Sequence, residues 1–326
     1  MLRLLAFLRV PASRQIPYEI LLVVIFTLSE LAGVLLLLPL LNYVVERKFP
    51  VSVIETFERF GIDQFSDELI FVVLIGIYVS RFFITKYVIL LQLREVYKIL
   101  AGLNTKLFNR ILSSGRIQKI EDVMQCGIIE ANNVCVGFYM PLIRLVSEVL
   151  FVLASLVSLF ILMPEMSAIL FSMFAASVFV LQHSNKRSLS EYGSKRIIVD
   201  GERTAFFEFV SRSSLELKSY NVEKNAKFKF ASLIEEYAVL GLKQQNIKMM
   251  QKYWIETLFV VSAVLSFSIS YFFLSPSDTL QTAVVFGAVS IKTLPAFSRI
   301  TNFNNSLHYF KSSVAKYIDF VEGLEK

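Results

Sequence analysis

Glycine and proline are scarce, at 12 and 8 of 326 residues, so the chain has few of the residues that break helices or build turns. Charge is scarce as well: 18% of residues are Asp, Glu, Lys or Arg, against roughly 25% in soluble domains. Two cysteines, Cys126 and Cys135, and two histidines, His183 and His308, are too few and too scattered for a zinc site or a disulfide framework. No small-residue cleavage site follows the apolar start MLRLLAFLRV, and Pro11 and a charged stretch come next, which argues against a cleaved signal peptide. The same segment reads instead as an amphipathic entry helix over 1–16, lying on a membrane. What is abundant is apolar: 55% of residues are hydrophobic, 30 are Phe, and the mean hydropathy is +0.59. Lipid is the expected solvent.

A hydrocarbon core of roughly 30 Å takes about 20 mostly apolar helical residues to cross. Six stretches meet that need: Pro17 to Val45, Leu69 to Leu93, Met140 to Met163, Met166 to Leu181, Tyr253 to Leu274 and Thr279 to Ile300. The sequence thus predicts an all-α membrane protein with a six-helix domain over 17–326. Basic residues set its orientation. Arg94, Lys98, Lys106, Arg110, Arg116 and Lys119 fall between the second and third stretches, and a larger basic set from Lys186 to Lys248 falls between the fourth and fifth. Both loops are therefore assigned to the cytoplasm, with both termini, while the acid-rich loop from Glu46 to Glu68 faces out. The net charge of +6 reads as membrane topology rather than as a nucleic-acid surface, since no aromatic-interleaved basic motif accompanies it. In the cytoplasm Cys126 and Cys135 stay reduced.

The cytoplasmic connections read as helices rather than loops. From His183 to Lys252 there is no proline, and apolar residues such as Phe207, Val210, Leu215 and Leu217 recur at helical spacing. Two helices of about 30 residues would reach roughly 45 Å below the bilayer. A smaller hairpin between the second and third stretches breaks at Ser113, Ser114 and Gly115. Two hairpins hanging below a membrane module suit something beneath that pushes on it.

This arrangement resembles the transmembrane domain of an ABC exporter, over the whole chain. The segment Ser214-Leu-Glu-Leu-Lys-Ser-Tyr-Asn-Val-Glu223 is similar to that family's second coupling helix, and Arg110 to Gly127 occupies the place of the first. Within the family, Lys292-Thr-Leu-Pro-Ala-Phe-Ser-Arg299-Ile resembles the sixth helix of the lipid-linked oligosaccharide flippases, as do Leu28 to Leu41 in the first helix and Ser80-Arg81-Phe82 in the second. The resemblance implies a working pair of six-helix halves, a homodimer in a bacterial inner membrane. It implies a motor touching Ser113, Glu121, Ser214, Lys218 and Tyr220. It also implies basic residues at Arg81, Lys252, Lys292 and Arg299 that meet a lipid-linked pyrophosphate, although Lys at 252 and 292 stands where the family usually has Arg and offers a point charge instead of a fork.

ATP hydrolysis in that family needs a P-loop, whose glycines let backbone amides cradle phosphate. No glycine here is followed by Lys and Ser or Thr in that pattern. The expectation is that ATP and Mg are handled by a nucleotide-binding domain supplied elsewhere, on a separate or a truncated polypeptide, and that this chain holds no cofactor or metal of its own.

Charges at membrane depth carry the substrate argument, because each costs at least roughly 2.5 kcal/mol at the bilayer centre unless a partner or a water-filled route accepts it. Arg144 and Glu148, four apart, read as neutralising each other. Lys252 and Glu256 share that spacing, and Lys252 sits where it can snorkel. Arg81, Lys292 and Arg299 have no acid within a turn, and Lys292 and Arg299, seven apart, share a helix face. Two readings stay open: a basic strip for an anion, or cross-helix pairing with Glu30 or Glu256. For function, export or flipping of an amphipathic anionic lipid leads, an exporter half for a peptide or drug-like substrate comes next, and an ion-coupled secondary transporter is the alternative of another class, although neither repeats nor broken midplane helices are visible.

Overall fold

The computed structural model describes residues 16–35, 43, 67–114, 120–162, 164–273 and 276–324, and every element among them is helical. Helix α1 is Ile16–Leu35 and α2 is Asp67–Ser114. Helix α3 runs over 120–162, passing from Ile120–Met124 through the π-helical stretches Gln125–Glu130 and Asn133–Tyr139 into Met140–Leu162. Pro164–Arg212 is α4, Ser214–Ser219 is α5, Glu223–Phe273 is α6 and Pro276–Gly323 is α7. The entry segment assigned to 1–16, the end of the first apolar stretch beyond Leu35 and nearly all of the acid-rich loop lie outside the described residues.

Helix length is the main architectural fact. α2, α4, α6 and α7 contain 48, 49, 51 and 48 residues, and a 48-residue helix is about 72 Å long at 1.5 Å per residue. A bilayer core takes up less than half of that. Among the described residues, Phe71–Ser113 and Asp122–Val157 are the two helical stretches long and apolar enough to cross a membrane. On α2 the upper residues Val72, Ile75, Phe82, Phe83 and Leu90 are exposed apolar side chains, a surface suited to lipid.

Lower down, the same helix turns amphipathic. Val96, Ile99, Leu103 and Leu107 repeat at intervals of three and four and are buried against Ala131, Val134, Cys135 and Phe138 of α3 and Val314, Tyr317, Ile318 and Val321 of α7. This is a water-type core, and it fastens the lower ends of three helices. Tyr317 adds a hydrogen bond from its hydroxyl to the Leu103 carbonyl at 3.4 Å. α4 meets α7 so closely at Gly193 that a Cβ there would lie 2.0 Å from the Tyr309 carbonyl oxygen. Only glycine permits that approach.

The turn below α5 closes by a recognisable device. Tyr220 caps the helix and Asn221 takes a left-handed backbone with φ of 55°, a conformation that Asn tolerates. The Asn221 amide then bonds the Lys218 carbonyl and the Val222 amide the Leu217 carbonyl, both at 3.0 Å, which satisfies the last acceptors of the helix. The chain thereby reverses from α4 into α6.

Candidate functional site

The polar groups gather at three levels. At the upper level, α1 and α2 are joined by Arg81, whose guanidinium lies 2.7 Å from the Glu30 carboxylate and donates from Nε to the Ser29 carbonyl at 2.6 Å. The Ser29 and Thr85 hydroxyls bond each other at 3.0 Å beside it. α3 and α7 are joined by Arg299, which grips Glu148 with both prongs, at 2.6 and 3.0 Å. That fork is the planar geometry for which Arg is suited. The two pairs are close enough for Glu30 to act electrostatically on Glu148.

Two sequence expectations change here. Glu148 is held by Arg299, not by Arg144 one turn away on its own helix. Arg144 is left with a buried Nε that has no hydrogen-bond partner. Arg81 carries the cross-helix partner, Glu30, that the pairing alternative named. Arg299 takes Glu148 in place of Glu30 or Glu256. Even so, Arg299 keeps 42% of its side chain exposed, whereas Glu148 keeps 5%, so one edge of the guanidinium remains open. Lys252 lies 3.8 Å from Glu256, with the lysine side chain mostly exposed and the glutamate half-buried. Lys292 falls within α7, but its side chain lies outside the described residues.

The middle level is a buried junction that sequence spacing did not single out. Arg196 of α4 donates to the Ser313 hydroxyl of α7 at 2.6 Å and lies 3.7 Å from Glu130 of α3 and 3.9 Å from Asp200. Its guanidinium also covers the rings of Tyr309 and Phe310 at 5.1 and 4.9 Å. Arg203 pairs with Asp200 at 2.8 Å. Gln125 donates to the Ile197 carbonyl at 3.0 Å and accepts from Lys316. Burial pushes the Asp200 carboxyl above its ordinary value, against the pull of Arg203 and Arg196. The only warning in the sequence was a run of charges, Arg196, Asp200 and Arg203, on a face that also carries Leu189 and Ile197. Glu130 and Gln125 belong to the π-helical stretch of α3, a feature that often marks functional positions.

The lowest level is the tip. Ser214, Lys218 and Tyr220 lie on or beside α5, together with Leu215, and Ser113 is exposed at the end of α2. Glu121 lies in α3, with its side chain outside the described residues. Tyr220 and Leu215 are 78% and 76% exposed, far more than large apolar groups in water usually are. Behind them, Phe206 stacks on Phe230 at 6.4 Å, and with Phe207, Val210 and Leu217 they line a cavity of about 600 Å³ between α4 and α6.

The structure of a bacterial Atm1-family ABC exporter with ATP bound superposes with a TM-score of 0.70 at 13% identity, covering 95% of this chain. The fold is the transmembrane fold of an ABC exporter. The chain spans 54% of that exporter's length. No protein-family profile and no curated protein sequence matches it, so sequence-level likeness adds nothing to the likeness in three dimensions. α5 joins the ends of α4 and α6, and the Arg81–Glu30 pair lies in the part of α2 that carries the exposed apolar side chains.

Proposed function

We propose that this chain is the membrane-spanning part of an ATP-driven exporter or flippase, with six transmembrane helices, working as a homodimer in a bacterial inner membrane with both termini in the cytoplasm. The observation that carries the reading is the tip: two helices of about 50 residues end in α5, whose apolar side chains Leu215 and Tyr220 stand in the open. A rigid lever with an uncovered apolar end transmits force only when something packs against it. A nucleotide-binding domain carrying ATP and Mg is the partner that this fold serves. Ser113 and Glu121 of the shorter hairpin and Ser214, Lys218 and Tyr220 of the longer one are the coupling residues.

The substrate in this reading is an amphipathic anion, such as a lipid-linked oligosaccharide, handled by Arg81, Lys252, Lys292 and Arg299. Arg81 and Arg299 meet it by exchanging carboxylate partners, Glu30 and Glu148, for substrate phosphate. The open edge of Arg299 supports this order of events. Cysteines placed singly at Ser113, Ser214 and Tyr220 test the architecture: bifunctional maleimides should crosslink them to an ATPase domain in native membranes. Crosslinks confined to residues of the outward end would refute it.

A further inference from the structure

Between α3, α6 and α7, just below the Arg299–Glu148 pair, lies a cavity of about 530 Å³. Arg144, Lys248 and Lys252 border it, and no carboxylate is among the residues that line it. Three cations around one cavity repel each other, and an anion among them relieves that repulsion.

Their present partners do not supply one. The neighbouring acid Glu148 is occupied by Arg299 through both oxygens, and the Arg144 Nε is buried without a hydrogen-bond acceptor. A buried guanidinium nitrogen left in that state costs free energy, and a ligand oxygen would remove the cost. Lys248 is half-buried, and the described residues offer it no carboxylate within ion-pair distance. Burial holds its ammonium below the ordinary value. Lys252 has Glu256 at 3.8 Å, but its side chain stays mostly open. In the same cavity the Asn302 Oδ1 is buried and lacks a donor. Bare phosphate at neutral pH offers few protons to it, whereas a hydroxyl group does.

We infer that this cavity binds a phosphate ester that also carries hydroxyl groups, with Arg144 and Lys248 on the phosphate, Lys252 at the rim and Asn302 accepting from a hydroxyl. The volume suits a polar headgroup more than a single ion. The inference deepens the anionic-substrate reading and rests on it only for where the ligand comes from. Glycerophosphate chemistry is shared by a lipid headgroup in the cytoplasmic leaflet and by a soluble phosphate ester, and two probes separate these sources.

The full chain, purified in maltoside detergent without any motor, would be titrated with glycerol 3-phosphate by calorimetry and with phosphatidylglycerol by native mass spectrometry. At least one probe should bind, and R144Q and K248Q should each weaken that binding by about tenfold, the scale of one charge-assisted contact. K224Q, a lysine exposed near the tip, should leave it unchanged. Dependence seen only with glycerol 3-phosphate assigns a soluble ligand, and dependence seen only with phosphatidylglycerol assigns the lipid. R144K serves if R144Q does not fold, and K248Q alone is enough to decide the outcome. Unaltered binding in K248Q and the Arg144 variants, no binding of either probe, or equal weakening by K224Q overturns the inference. If these arms fail while ATP-driven movement of an anionic lipid by the complete transporter persists, the site is wrong and the exporter reading stands.

Discussion

The buried Arg196 junction and the Arg81–Glu30 and Arg299–Glu148 pairs use the same chemistry with different redundancy. Arg196 has two carboxylates, a hydroxyl and two ring faces around it and is 6% exposed. Arg299 has one carboxylate and an open edge, and Arg81 has one carboxylate, one backbone carbonyl and the ring of Tyr78 at 5.4 Å. Several partners fix a geometry, because losing any one leaves the others in place. A single partner can be exchanged for another anion at little net cost, provided the exchange is concerted. On the proposed exporter reading the junction is the rigid part of the lever, and the Arg299–Glu148 pair, with the fewest partners, is the part that changes state.

The largest effect should come from breaking the redundant region at its centre. Arg196→Met leaves Glu130, which is 0% exposed, without its cation, and removing one partner of a buried pair costs about 3 to 5 kcal/mol. The variant should lose most of its monodisperse fraction in detergent and melt well below the parent. Gly193→Ala comes next. Its methyl group would meet the Tyr309 carbonyl at 2.0 Å, with backbone as the obstacle, so α4 must move off α7 at a cost of roughly 1 to 3 kcal/mol, seen as a lowered Tm with secondary structure retained. At the single-partner site the effect should be smaller and reversible by a second change. Arg299→Gln strands Glu148, Arg144 takes over part of the charge, and adding Glu148→Gln should recover stability. A double-mutant cycle should give a coupling of roughly 0.5 to 3 kcal/mol. A coupling near zero would mean that the bidentate pair does not form in solution.

The smallest effect is a silence. Cys126 and Cys135 are buried free thiols whose ionisation burial pushes up to about 12. At about pH 8 both stay protonated, and the thiolate is the reactive form. Maleimide should label neither in the folded protein and both after denaturation, as counted by mass. Labelling of the native protein would show that the α2–α3–α7 core opens.

Much of this is legible in the sequence, and the part that is not has a common cause. The described part of α2 ends at Ser114, and the segment beginning at Ser214, singled out by its resemblance to a coupling helix, does form a short helix of its own. The fourth apolar stretch stops at Leu181, and the helix expected from His183 onward joins it, so that α4 runs without interruption to Arg212. Pairing across helices is the illegible part. Spacing shows Arg144 and Glu148 as neighbours on one helix, but it cannot show that α7 brings Arg299 from 151 residues away onto the same carboxylate. Arg196 reads as one more topological charge for the same reason: its partners Glu130 and Ser313 lie on α3 and α7, and only the packing of three helices makes them neighbours.

If a motor acts on this chain, α5 is the contact through which force enters. The most direct measurement is ATP hydrolysis by the tagged protein purified from its native membranes with whatever remains bound, compared between the parent and a Leu215→Asp, Tyr220→Asp variant. The two substitutions touch exposed side chains only, so folding should survive, as checked by gel filtration. The parent should carry ATPase activity, and the variant should lose it together with the contact to the ATPase domain. Equal activity in both, or a folded parent that brings no ATP hydrolysis at all, would contradict a lever driven through α5.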